Sequence, residues 1–101
     1  MNNHNTDDLK DIPSIGSNTI KLFEKEGIYT ISDLINKFMS LQHDENTGLK
    51  RDSIAHVDEF YWWLKELGSS PGNRCSIIAS IAEKANLIYF GTYNKNNYGC
   101  L

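Results

Sequence analysis

Residues 11–35 read Asp11-Ile-Pro-Ser-Ile-Gly16-Ser-Asn-Thr-Ile20-Lys-Leu-Phe-Glu-Lys-Glu-Gly27-Ile-Tyr-Thr30-Ile-Ser-Asp33-Leu-Ile35. The pattern predicts a tight turn around Gly16, a short amphipathic helix that stops at Gly27, and a second helix capped by Thr30 with Asp33. This is the form of a helix-hairpin-helix. Such a turn presents consecutive backbone N–H groups at a helix N-terminus, which suits a phosphate and needs no particular base. The segment therefore predicts a small module that binds the DNA backbone.

The hairpin permits two interpretations. In the functional one, backbone amides of residues 16–19 contact phosphate oxygens and Lys21 adds a positive charge; in the other, the turn is only a helix–helix connection that packs the core. The run Ile-Pro-x-Ile-Gly, followed by Gly-Ile-x-Thr-x-x-Asp-Leu, favours the first interpretation. The DNA-binding residues predicted here are Ser14, Ile15, Gly16, Ser17, Asn18, Thr19 and Lys21.

A second glycine turn, Gly68-Ser-Ser-Pro-Gly-Asn-Arg74, precedes the last predicted helix. A serine there can cap the helix, proline suits its first turn, and the arginine supplies a cation. The bland alternative is a well-capped helix start, which is favoured unless both turns lie on one face. The residues of this second predicted phosphate clamp are Ser70, Pro71, Gly72, Asn73 and Arg74.

Composition limits the choice of function. The 101 residues suffice for one domain, and 40% hydrophobic with 23% charged residues is ordinary globular usage. The net charge of −3 and the pI near 5.5 count against a dedicated nucleic-acid binder, but backbone binding requires only a local cationic patch. No signal peptide or transmembrane run is visible, so we expect an intracellular protein.

Hydrophobic periodicity predicts helices throughout, between a polar tail at residues 1–8 and an asparagine-rich tail at residues 92–101. We expect an all-α domain over residues 9–91, a compact bundle of about five short helices. The second main helix carries Ile31, Leu34, Ile35, Phe38 and Met39 on one face. A loop without apolar period is predicted at about 42–55, followed by helices at about 56–67 and 73–90.

The run Phe60-Tyr-Trp-Trp63 lies within the third of these helices. Adjacent helical residues point about 100° apart, so the four aromatic side chains cannot all face one core. We expect at least one tryptophan to be partly exposed or to lie in an interface; the alternative is a rim residue lying over the core.

No catalytic or metal-binding pattern is present. The histidines His4, His43 and His56 share no spacing with the two cysteines that suggests a zinc site, and no phosphate-binding loop, nucleophile elbow or paired-carboxylate motif is found. We therefore expect no enzyme activity, no cofactor, no small-molecule substrate and no metal, and no direct membrane insertion.

The order of these motifs resembles the barrier-to-autointegration factor family. The likeness spans roughly Ile12 to Phe90, and its most specific part is Asp-x-Phe-x-x-Trp-Leu-Lys at Asp58–Lys65, downstream of the hairpin. It implies a homodimer that binds double-stranded DNA without sequence preference and that bridges and compacts it, as in chromatin. It also implies DNA contacts from the hairpin and the start of the last helix, a nuclear or other DNA-containing compartment (a viral factory or virion included), and LEM-domain partners. The residues it assigns to the dimer and partner interface are Ile35, Met39, Phe60 and Trp63.

The chain departs from the family pattern at several points. Ser14 stands where the family hairpin has glycine, a lysine pair becomes Lys21-Leu22, and about a dozen extra residues, Lys50 and Arg51 among them, lie between Leu41 and the aromatic run. The two loop cations compensate for the lost lysine only if they lie on the hairpin face. Two other functions stay open: a divergent dimerising homologue that acts as a protein-interaction module, and an accessory helix-hairpin-helix domain of a DNA-processing complex.

Overall fold

The computed structural model describes residues 8–12, 15–69 and 71–88, and over these residues the all-α prediction is confirmed. It contains a 3-10 turn, Leu9–Asp11, and four α-helices: α1, Ser17–Lys25; α2, Ile31–Ser40; α3, Ser53–Leu67; and α4, Pro71–Ile88. Extended backbone pairs in this part of the chain only at two isolated bridges, Asp8 with Thr30 and His43 with Lys50. The predicted tail at 92–101 and most of that at 1–8 lie outside the described residues.

The connection between α1 and α2 contains the glycine turn and the helix cap that the sequence predicts. Gly27 has φ +78°, a left-handed conformation that suits glycine after a helix end. The Thr30 side chain accepts a hydrogen bond from the Asp33 backbone N–H at 3.0 Å, and the Asp33 carboxylate accepts from the N–H groups of Tyr29 and Thr30. This capping box defines the start of α2. The same N–H groups, that of Tyr29 foremost, lower the pKa of Asp33.

Two helix boundaries differ from the predictions. Helix α3 begins at Ser53 instead of about 56, because the Asp52 carboxylate accepts a hydrogen bond from the Ala55 backbone N–H at 2.8 Å and caps it there. Helix α4 begins at Pro71, two residues earlier than predicted, where proline fits a first helical turn. The interhelical loop is therefore 41–52, shorter than the predicted 42–55.

The core lies where α4 packs against α2 and α3. Three phenylalanines, Phe23 of α1, Phe38 of α2 and Phe60 of α3, are completely buried members of the core. His56 is also buried; its ring stacks on Phe38 with centroids 4.0 Å apart, and its Nε2 lies 2.7 Å from the Phe38 carbonyl oxygen. Burial lowers the pKa of His56, so the neutral ring donates this hydrogen bond.

The 41–52 loop is tied to the end of α2 by Arg51. Its Nη1 donates to the carbonyl oxygens of Leu41 at 2.7 Å and His43 at 3.0 Å, and its Nη2 lies 3.7 Å from carboxylate oxygens of both Asp44 and Glu59. Carbonyls at a helix C-terminus attract a cation. The Arg51 guanidinium is thus engaged in holding the loop, and it is not a free charge for phosphate.

Candidate nucleic-acid interface

The N-terminus of α1 is open to solvent. Gly16 is its N-cap in an extended conformation and, having no side chain, provides no capping acceptor to the amides of the first turn. Gly16, Ser17 and Asn18 are all exposed, and a Cβ placed on Gly16 would meet nothing within 4 Å. Backbone N–H groups at such an end favour an anion. Ser14 lies outside the described residues.

A hydrogen bond joins the two predicted phosphate clamps. The side-chain amide of Asn73, in the first turn of α4, donates to the Thr19 hydroxyl oxygen at 3.0 Å. Thr19 lies in the first turn of α1 and is buried. The N-terminal turns of the two helices are therefore adjacent in space. We call the region formed by residues 16–19, Lys21 and Asn73 the hairpin corner; residues 16–18 and Lys21 are its exposed part.

Arg74 does not supply the surface cation expected of it. Its side chain is buried, its Nη1 donates to the Ser69 carbonyl oxygen at 2.6 Å, and its guanidinium carbon lies 5.1 Å from the centre of the Tyr61 ring. The contact with the Tyr61 ring and the hydrogen bond to the carbonyl hold the guanidinium inside the protein, where a phosphate at the surface cannot reach it. Its Nε is buried without a hydrogen-bond partner.

The remaining predicted DNA-binding residues divide into two groups. Lys21 is exposed on α1 and can supply a positive charge to the hairpin corner, whereas the half-buried Ile15 packs against the core. Pro71 and Gly72 form the first turn of α4, where they contribute backbone, and Ser70 lies outside the described residues. The cationic part of the corner among described residues is thus Lys21.

The predicted dimer interface is largely interior. Phe60 is completely buried and Ile35 is 8% exposed, so the protomer core uses both side chains. Trp63 is half-buried, with its ring stacked 6.0 Å from Phe23 and Lys37 Nζ 5.1 Å from the ring centre. Met39 is half-buried as well. Only Trp63 and Met39 of the four therefore retain surface for a second chain.

Trp63 also lines a groove of about 320 Å³. The groove lies beside the α1–α2 connection, and its other walls come from seven residues, which include side chains of both charges. They are Glu26, Gly27, Ile28, Asp33, Asn36, Lys37 and Ser40.

The expected exposed tryptophan is Trp62, which is 51% exposed. Helical geometry alone predicted that the neighbours Trp62 and Trp63 point in different directions, but not which of them faces water. The structure assigns the inner position to Trp63 because its ring fits between Phe23 and Phe60.

Two further observations concern the described part of the chain. None of its helices has the length and apolar character needed to span a membrane. Nor does it bring three histidine, cysteine, aspartate or glutamate side chains together in a way that could hold a metal ion.

Comparison with known proteins adds no relative. No protein-family model, curated protein or solved structure matches the chain.

Proposed function

We propose that this protein binds double-stranded DNA without sequence preference, through phosphate contacts at the hairpin corner, and that a homodimer bridges two DNA segments. The activity is the one implied by the likeness to barrier-to-autointegration factor. It involves no chemical reaction and no cofactor.

The observation that carries the proposal is the hydrogen bond between Asn73 and Thr19. It shows that two helix N-termini far apart in the sequence are neighbours, and a helix N-terminus in general carries partial positive charge and backbone N–H groups without an intrahelical partner. Two adjacent helix N-termini can contact two successive phosphates of one DNA strand, whereas a single N-terminus contacts only one. In the alternative interpretation, core packing alone brings two unrelated helix caps together.

The net negative charge of the protein is compatible with this proposal, because a bound phosphate is affected mainly by the charges closest to it. At physiological ionic strength, charges on exposed side chains are screened beyond about 8 Å. The hairpin corner presents Lys21 and exposed backbone, while Ser17 and Asn18 beside them are uncharged. We expect modest affinity, because few cations are available, and a loss of affinity with salt that is correspondingly shallow, because its slope scales with the number of phosphates neutralised.

Bridging requires two hairpin corners in one assembly. One protomer has a single corner among its described residues, so the proposal includes a homodimer, for which the partly exposed Trp63 and Met39 provide surface. Sedimentation of the pure protein tests this part. A protein that sediments as a monomer at micromolar concentration would contradict bridging but would not contradict DNA binding.

The direct test is a gel shift of several unrelated duplexes at low and moderate salt, with the variant Gly16→Glu. A Cβ on Gly16 would meet nothing within 4 Å, so the variant should fold, and its carboxylate then lies at the helix end where the phosphate contact is proposed. We expect all duplexes to shift at low salt and the variant to bind at least about tenfold more weakly, as expected for a like charge at the contact.

A matched control is Ala79→Glu, which adds the same charge at an exposed position in the middle of α4. It should bind like the wild type. Absence of any shift at low salt contradicts the proposed function. Equal weakening by both variants means that the hairpin corner is not the binding surface.

A further inference from the structure

The outer face of α3 carries a regular stripe of four residues. Ile54, Asp58, Trp62 and Glu66 follow one another at intervals of four, and all are exposed. Residues four apart are neighbours on a helix surface, so apolar and acidic side chains alternate along this face. The exposed fractions, 46% for Ile54 and 51% for Trp62, are large for side chains of this kind. We call this stripe the α3 outer face.

The Trp62 ring already holds a cation. Lys65 Nζ lies 4.6 Å from the ring centre, while the Tyr61 ring meets Trp62 edge-on at 6.1 Å. A tryptophan ring attracts a positive charge through the electron density of its face. Lys65 thus occupies the cation position over this ring, and an incoming guanidinium would have to replace it there.

We propose that the α3 outer face binds an arginine-bearing basic segment of another protein. A guanidinium stacks flat on an indole ring and at the same time donates two hydrogen bonds to a carboxylate. Trp62 and Glu66, one helical turn apart, provide these two acceptors side by side. Ile54 lies about two helical turns from Trp62, at the other end of the stripe, and offers an apolar contact for the same segment.

Charge excludes the other obvious occupants of this face. The carboxylates of Asp58 and Glu66 outnumber the ammonium group of Lys65 here, so DNA phosphates, or the same face of a second copy, would meet a net negative charge. A basic protein segment is the occupant that complements this charge. The proposal goes beyond DNA binding, and it concerns residues outside the hairpin corner.

The test uses the full-length protein and two fluorescent probes, octa-arginine and octa-lysine peptides, with anisotropy titrations at moderate salt. We expect the arginine peptide to bind more tightly, because only guanidinium both stacks and pairs bidentately. Trp62→Ala should weaken its binding about tenfold and Glu66→Gln about threefold, in the range of a cation–π contact and an exposed ion pair. Both side chains are exposed, so the variants should fold.

Matched controls are Tyr29→Ala, which removes an aromatic side chain that is 62% exposed elsewhere, and Glu83→Gln, which removes an exposed carboxylate on α4. Both should bind the arginine peptide like the wild type. An NMR titration of the wild type provides a check without any variant: the Trp62 indole signal should shift on peptide addition and that of Trp63 should not.

Four results would overturn the proposal. Unchanged binding of octa-arginine by Trp62→Ala would mean that the peptides bind only through overall charge, and equal losses in Trp62→Ala and Tyr29→Ala would mean that they bind exposed aromatic side chains anywhere on the protein. A smaller sedimentation coefficient for Trp62→Ala would make this face a contact between copies of the chain. A matching loss of duplex DNA binding in Trp62→Ala would make it a nucleic-acid contact.

Discussion

The side-chain amide of Asn73 donates a hydrogen bond to the Thr19 hydroxyl across 3.0 Å, although 54 residues separate the two along the chain. Thr19 is 4% exposed, so this hydroxyl is largely shielded from water. The bond links the first turn of α1 to the first turn of α4, so the two helix N-termini lie side by side.

We expect Thr19→Val to lower the free energy of unfolding by about 1 kcal/mol, because the shape is nearly retained and one partly buried hydrogen bond is lost. Duplex binding should weaken as well, since the start of α4 is no longer held beside α1. Urea denaturation and gel shift measure the two effects.

A double-mutant cycle with Asn73→Ala isolates this contact. The combined loss of stability should be smaller than the two single losses added together, because the second change removes a partner already lost. Strict additivity would mean that the hydrogen bond contributes nothing.

Lys21→Gln should reduce the salt dependence of DNA binding. Each lysine that neutralises a phosphate releases about one counterion, so the slope of log affinity against log salt should fall in magnitude by about 1. Affinities measured at a series of salt concentrations give this slope. Lys84→Gln, which removes an exposed charge from α4, is the matched control and should keep the wild-type slope. A Lys21 variant with an unchanged slope would remove this residue from the interface.

His56 should make the fold sensitive to mild acid. Burial holds its pKa in the folded protein below the ordinary value of 6.5, and Arg51, His43 and Lys50 lower it further. Above pH 6.5 the ring is neutral in both states and the stability is complete. As the pH falls through 6.5 the unfolded chain binds the proton first, so the free energy of unfolding declines until the lower folded pKa is reached.

Urea denaturation at pH values from 7 to 5 measures this decline. In His56→Gln, where an amide replaces the titrating ring and can still donate to the Phe38 carbonyl, the slope should flatten. His43→Gln, at an exposed position, should change the slope far less, because His43 is only a minor cause of the low His56 pKa. A wild-type slope in His56→Gln would assign the pH dependence to another group.

Arg51→Lys should loosen the 41–52 loop. An ammonium group cannot reproduce the planar geometry with which Arg51 meets the carbonyls of Leu41 and His43. We expect a loss of about 1 kcal/mol in stability and faster hydrogen exchange at residues 44–49. Lys50→Ala, at the neighbouring exposed position, is the control. Unchanged exchange in Arg51→Lys would mean that the turn at 44–49 holds its shape unaided.

Local signals in the sequence predicted the helical hairpin well. Gly27 and the Thr30–Asp33 pair were identifiable because a left-handed residue and a capping box depend on neighbours within four positions. The start of α3 was placed too late because apolar periodicity outweighed the cap at Asp52, a residue whose type already suits that role.

Tertiary partners could not be predicted in this way. The inward turn of Arg74 depends on Tyr61 and on the Ser69 carbonyl, and no spacing rule brings these groups together. The same holds for Trp63, whose inner position depends on the Phe23 ring of another helix. The adjacency of Thr19 and Asn73 likewise became visible only once the helices were packed.

The loop between α2 and α3 is closed at its base. The Arg51 backbone N–H donates to the Gln42 carbonyl oxygen at 2.7 Å, and the Asp44 backbone N–H donates to the Leu49 carbonyl oxygen at 2.9 Å. The spacing of the two helices therefore does not depend on the loop tip, residues 45–48. A Cβ placed on Gly48 in this tip would meet nothing within 4 Å. The tip is thus the natural attachment point for a reporter dye or an epitope, distant along the chain from both glycine turns.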